Sequence, residues 1–91
     1  MSFEPTKVDE FLKVFHASKE KIRNFPGCNH LELLNDINSP NIFFTYSFWD
    51  KPDSLENYRN SELFQGVWGK TKVLFNDKPQ AWSVEQKVKL T

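Results

Sequence analysis

The ten residues from Asn41 to Asp50, NIFFTYSFWD, constrain this chain more than any other stretch. They read as a β-strand, and successive side chains of a strand point to opposite faces of its sheet. Ile42, Phe44, Tyr46 and Phe48 then share one face, while Phe43, Thr45, Ser47 and Trp49 share the other. Neither face suits water. A chain of 91 residues can cover one sheet face with its own helices. The second face must meet something else, and a second copy of the chain is the most economical cover. Burying apolar surface gains about 25 cal/mol per Å2, which is large against the few kcal/mol that so small a domain holds alone.

Composition narrows the function classes. Twelve basic and twelve acidic residues cancel, so nothing in the totals asks for nucleic acid, a membrane surface or an acidic polymer. Small neutral or weakly charged partners fit better. Nine Phe and three Trp point to a core or pocket lined by rings. Cys28 has no second cysteine to pair with, and the sequence carries neither a basic-plus-apolar leader nor a run long enough to span a bilayer. The expected compartment is the cytoplasm, and the expected organisation is a single domain over residues 1–91.

Along the chain, Ser2 to Glu4 alternates like the tail of a longer strand. Pro5 and Thr6 open a helix, with Thr6 as the expected cap and Asp9 at capping-box spacing. Val8, Phe11, Leu12, Phe15, Ser18, Ile22 and Phe25 recur at helical spacing up to Pro26-Gly27, which ends the helix. Cys28 to Leu34 reads as a strand with Leu31 and Leu33 on one face and Cys28, His30, Glu32 and Leu34 on the other. Asn35 to Asn41 is turn chemistry, so this strand and the aromatic one form an antiparallel hairpin. Pro52 suits a first helical turn; Asn60-Ser61-Glu62 breaks the helix and caps a second piece carrying Phe64, Val67, Trp68, Leu74 and Phe75. Ala81 to Val88 reads as the last strand.

The order strand, helix, strand, strand, helix, strand is the split βαβ of ferredoxin-like folds. The expected class is therefore α+β, a four-stranded antiparallel sheet with helices on one face. Its bare face predicts a dimer of sheets, with the polar tail from Lys87 to Thr91 extending along the partner.

Four segments then resemble one family when taken together. Phe25-Pro26-Gly27-Cys28 before the first hairpin strand, YSFWD from Tyr46 to Asp50, LENYRNSELF from Leu55 to Phe64, and KPQAWSV from Lys78 to Val84 resemble the antibiotic biosynthesis monooxygenase (ABM) domain. The resemblance implies a dimeric α+β barrel with a cavity between sheet and helices in each subunit. It also implies an activity of characterised relatives, oxygenation of phenolic or quinol-like substrates without flavin, haem or metal. Other relatives degrade haem or process small signalling molecules. Two departures stand out: the family's first strand usually begins several residues before Ser2, and Tyr58 occupies a place where many members have His. Haem-degrading relatives also place an axial His on the second helix, whereas this chain has no His after His30.

Cofactor-free oxygenation asks for a dry pocket, a base or acceptor for the phenolic proton, and donors for the developing charge. His30 is the expected base, because imidazole titrates near neutrality. Tyr46 and Tyr58 are expected to orient a substrate oxygen, and Trp49, Phe64 and Trp68 to form the pocket wall. The same rings would serve equally in a core or a dimer interface. His16 falls beside the apolar stripe of the first helix, on the surface. Cys28 and His30 are two of the three or four ligands a metal needs, so no metal site is expected. Gly27, Gly66 and Gly69 make no phosphate loop, and no cofactor is expected. The leading expectation is a homodimeric, cofactor-independent monooxygenase acting with dioxygen on a small quinol or polyphenol-like aromatic. A non-catalytic dimeric binding module for small ligands and a non-oxidative enzyme processing a signal molecule stay open beside it.

Overall fold

In the computed structural model, residues 1–84 and 87–90 are described. Pro5 fixes a backbone angle suited to a first turn, and Pro5–Lys7 forms a 3-10 turn that leads into α1, Val8–Arg23. The expected Thr6 cap is not made. Lys7 N donates to Glu4 O at 2.8 Å instead, so backbone supplies the acceptor, and Asp9 and Glu10 place negative charge in the first helical turn. Phe11, Phe15 and Ile22 of the predicted stripe are buried. At the far end Gly27 takes a positive φ of 88°, a left-handed geometry that suits glycine, and reverses the chain into the first strand.

Two regular strands follow, β1 at Cys28–Asn35 and β2 at Phe43–Trp49, paired antiparallel as a hairpin. His30 stands opposite Phe48, Glu32 opposite Tyr46 and Leu34 opposite Phe44. The register shifts between Cys28 and His30, and this bulge corrects one expectation. One extra residue returns Cys28 to the face of its partner Trp49, where it is buried, while His30 stays on the other face. The N-terminal stub lies along the start of β2 through an isolated bridge between Ser2 and Ile42, and Phe3 bridges Phe75 on its other side. Bonds from Phe3 N to Asn41 O, 2.9 Å, and from Glu4 N to Leu74 O, 3.0 Å, hold it there. Both bridges are antiparallel and isolated, so among the described residues the sheet is the two strands β1 and β2 rather than the expected four, with the stub lying beside β2 and residues 74–76 beside the stub.

The second helical region divides where expected, into α2 (Pro52–Arg59) and α3 (Glu62–Thr71). Ser61 caps α3 by accepting from Phe64 N at 3.1 Å. Residues 81–84, 87 and 88 of the expected last strand are not in a strand, and Glu85 and Gln86 lie outside the described residues. Such a segment needs an edge to pair with. Phe3, Phe11, Phe15, Phe43 and Leu74 form the core, with Phe3 fully buried and stacked on Phe11 at 4.1 Å. Helices therefore cover the face that carries Phe43 and leave the face of Phe44, Tyr46 and Phe48 open, each more than 40% exposed. The fold is a small ferredoxin-like α+β arrangement.

Candidate functional site

The sheet divides the six residues expected to form the site. Trp49 is the last residue of β2 on the helix side, and Tyr58 of α2 stacks on it with ring centres 5.2 Å apart. Phe25, from the turn after α1, closes a triangle with both. From Tyr58 the rings continue to Phe64 at 5.2 Å, to Trp68 at 6.0 Å, and through Phe75 into the core at Phe3. Trp49, Tyr58, Phe64 and Trp68 thus form one arc. The helix-start and helix-break signals that separate α2 from α3 are what bring Tyr58 and Phe64 edge to face.

His30 and Tyr46 stand on the opposite face of the sheet. The imidazole packs 4.9 Å from Phe48 and 6.3 Å from Tyr46, and its Nε2 lies 3.2 Å from Glu32 Oε1. Tyr46 and Phe48 meet edge to face at 5.0 Å. This cluster shares its surface with Leu34 and Phe44, both 44% exposed.

On the helix side two small hydroxyls lie between Trp49 and the core. Thr45 and Ser47 share the face of Phe43 and Trp49, yet Thr45 is exposed, so the helices leave an opening above the middle of β2. Trp49 Nε1 donates to Ser47 Oγ at 3.0 Å. An oxygen that already accepts keeps its own proton available for donation. Sequence reasoning gave these two residues no role. The signal was present in their alternation, two hydroxyls on a face otherwise made of rings.

Burial pushes the Tyr58 phenol up from 10.0 to about 12, with the charge of a Cys28 thiolate as a secondary cause. At neutral pH Tyr58 is therefore a hydrogen-bond donor rather than a base. Cys28 is buried, and its thiol's contact is a weak one to His30 O at 3.6 Å. Among the described residues, no three His, Cys, Asp or Glu side chains gather where they could hold a metal ion.

The arrangement of an α1-covered hairpin followed by a divided second helix has a counterpart among known proteins. The family model for antibiotic biosynthesis monooxygenases matches residues 1–67, well over half of the sequence. The chain belongs to this family. The matched span takes in His30, Tyr46, Trp49, Tyr58 and Phe64 and stops one residue short of Trp68. A solved structure from Caulobacter crescentus CB15, described as a candidate antibiotic biosynthesis monooxygenase, superimposes on this ABM chain with a TM-score of 0.83. It is 21% identical, over 93% of this chain and 84% of that one. A conserved protein from Methanosarcina mazei Go1 gives 0.81 at 19% identity, over 85% and 76% of the two chains. A further antibiotic biosynthesis monooxygenase structure gives 0.79 at 21% identity, over 85% and 81%. At such identities the likeness speaks for the fold alone. No curated protein matches the chain. No helix among the described residues is long and apolar enough to cross a membrane.

Proposed function

We propose that this ABM protein is a monooxygenase that oxygenates a small quinol or polyphenol-like aromatic without a cofactor, and that the substrate lies in the helix-side opening. The observation that carries this reading is the arc of Trp49, Tyr58, Phe64 and Trp68 beside the hydroxyls of Thr45 and Ser47. Rings offer a flat apolar wall to an aromatic body, and a few placed hydroxyls orient its oxygens. Tyr58 and Ser47 would each donate to a phenolate oxygen, which favours the anion over the phenol inside a largely apolar site. That anion is the form that gives up electrons to dioxygen. With no other reductant, the substrate supplies all four electrons: two go to the inserted oxygen atom and two to the atom that leaves as water. His30, the residue expected as base, faces the other side of the sheet, and Tyr46 stands beside it. Both would act on a helix-side substrate only through the sheet, so we assign them to the open face.

That open face is, in the same reading, where a second copy docks, making a homodimeric barrel. Four aromatic or aliphatic side chains more than 40% exposed on one sheet surface support it. The apolar residues of the last segment support it too: Trp82, Val84, Val88 and Leu90 alternate in sequence and are 70 to 91% exposed. We place the fourth strand, Ala81 to Val88, in that assembly, where an edge is available to it. The whole chain then acts as one domain, and its unpaired cysteine fits the cytoplasm.

Oxygen uptake by protein stripped of metal and flavin, measured against a panel of reduced quinols and polyphenols, tests the oxygenase reading. Uptake above autoxidation that scales with protein concentration is expected. Tight binding of the same compounds with quenching of Trp fluorescence and no product would instead make the protein a binding module. Conversion of substrate without oxygen consumption would make it a non-oxidative enzyme.

A further inference from the structure

Beside the opening, α1 and β1 border an open groove of about 450 Å3 whose lining residues none of the roles above uses. Its floor is apolar: buried Phe15 from α1, with Leu31 and Leu33 from the helix-facing side of β1. Its rim is charged. Lys19 and Arg23 stand one helical turn apart on α1, with Glu20 beside them. Arg23 is held at the mouth, because its Nη1 donates to Cys28 O at 2.7 Å, across the turn between α1 and β1. One bond leaves most of a guanidinium's five donors open. Among the described residues no carboxylate lies within ion-pair distance of Arg23. Lys19 Nζ sits 3.2 Å from His16 Nδ1, which leaves two of its protons free for another acceptor.

From this geometry we infer that the groove binds a small apolar molecule carrying one carboxylate, its body on Phe15, Leu31 and Leu33 and its anionic head on Arg23 and Lys19. Two cations and one anion leave a single positive charge at the rim. That balance suits a monocarboxylate rather than a diphosphate or another multiply charged group. A planar guanidinium pinned on one side presents the paired donors that a carboxylate accepts in parallel. The volume falls within the range of small-molecule sites. Binding here stands independently of any reaction with oxygen.

Calorimetric titration of the full chain with 2-naphthoate and with its methyl ester tests the assignment, since the two share a body and differ in the charge. Naphthoate should bind about tenfold or more tightly than the ester, and more weakly as salt is raised. Arg23→Gln should bring naphthoate down to the affinity of the ester. Glu20→Gln, which leaves the Arg23 clamp untouched, should tighten naphthoate about two- to threefold by removing a like charge. Amide shifts on binding should centre on Leu31 and Leu33. Equal affinity for acid and ester would overturn the assignment, as would a preference that survives Arg23→Gln or shifts centred on Trp49 and Tyr58. Failure of both probes to bind, as when a second copy's chain fills the groove, would overturn it as well. Absence of oxygen uptake with any quinol would leave it standing.

Discussion

Tyr58 lies where the rings of Phe25, Trp49 and Phe64 meet, and its buried phenol is raised to about 12. A folded-state value above the ordinary 10.0 means that the neutral phenol's contribution to stability is whole below pH 10. It is lost as pH rises through about 12. A tyrosinate absorbance titration should show a step near pH 12 that Tyr58→Phe removes, and the variant's stability should fall less steeply above pH 10. Gly27 is a second residue whose role is local and strict. Its φ of 88° disfavours any side chain, and a Cβ there would collide with Ser54, itself buried and donating to Asp50. Gly27→Ala should therefore cost about 2 kcal/mol or more in denaturant unfolding, combining left-handed strain with the clash. Sequence reasoning placed the turn at Pro26-Gly27 but put Cys28 on the face of His30. Strand alternation cannot reveal a bulge, because one inserted residue inverts the parity of everything before it.

At the scale of elements, the division of the second helix was legible because Asn60-Ser61-Glu62 is a cap signal, and Ser61 makes that cap. What α3 does with its glycines was not legible. Gly66 and Gly69 lie inside the helix, where a Cβ at either would meet nothing within 4 Å. Within this subunit they only lower helix propensity. Gly66→Ala and Gly69→Ala should each raise stability by about 0.5–1 kcal/mol in thermal or denaturant unfolding. Loss of stability in either variant would mean that a neighbour absent from the single chain approaches α3 closely. The first helix tells a similar story, with its apolar stripe plain in the sequence and its start misread at Thr6. Several acceptors can satisfy the first N–H groups of a helical segment, and here the backbone oxygen of Glu4 accepts from Lys7 N. The last strand, Ala81 to Val88, was readable as a pattern, yet its described residues 81–84, 87 and 88 are not in a strand, because a strand exists only with a partner edge.

For the molecule as a whole, the central feature is a thin sheet with different surroundings on its two faces. One face carries helices and the ring arc, and the other carries His30, Tyr46, Phe48, Phe44 and Leu34 in the open. Alternation in NIFFTYSFWD made both faces visible in advance. It separated Tyr46 from Trp49, but it could not show that His30 joins the face of Tyr46, which depends on the pairing register, or that Tyr58, Phe64 and Trp68 border the face of Trp49, which depends on how α2 and α3 fold back. Docking of the open faces predicts that sedimentation equilibrium gives twice the 10.8 kDa chain mass at micromolar concentration. Phe48→Asp, which puts a charge in the middle of that surface, should shift the protein toward monomer. The most direct measurement for the proposed division of faces is oxygen uptake with an active quinol, compared across wild type, Tyr58→Phe and His30→Ala, each first verified as folded. A helix-side site predicts that Tyr58→Phe lowers kcat by about tenfold or more, through loss of a donor to the developing anion, while His30→Ala keeps most of the activity. Full activity in Tyr58→Phe together with its loss in His30→Ala would contradict the assignment and move the chemistry to the open face.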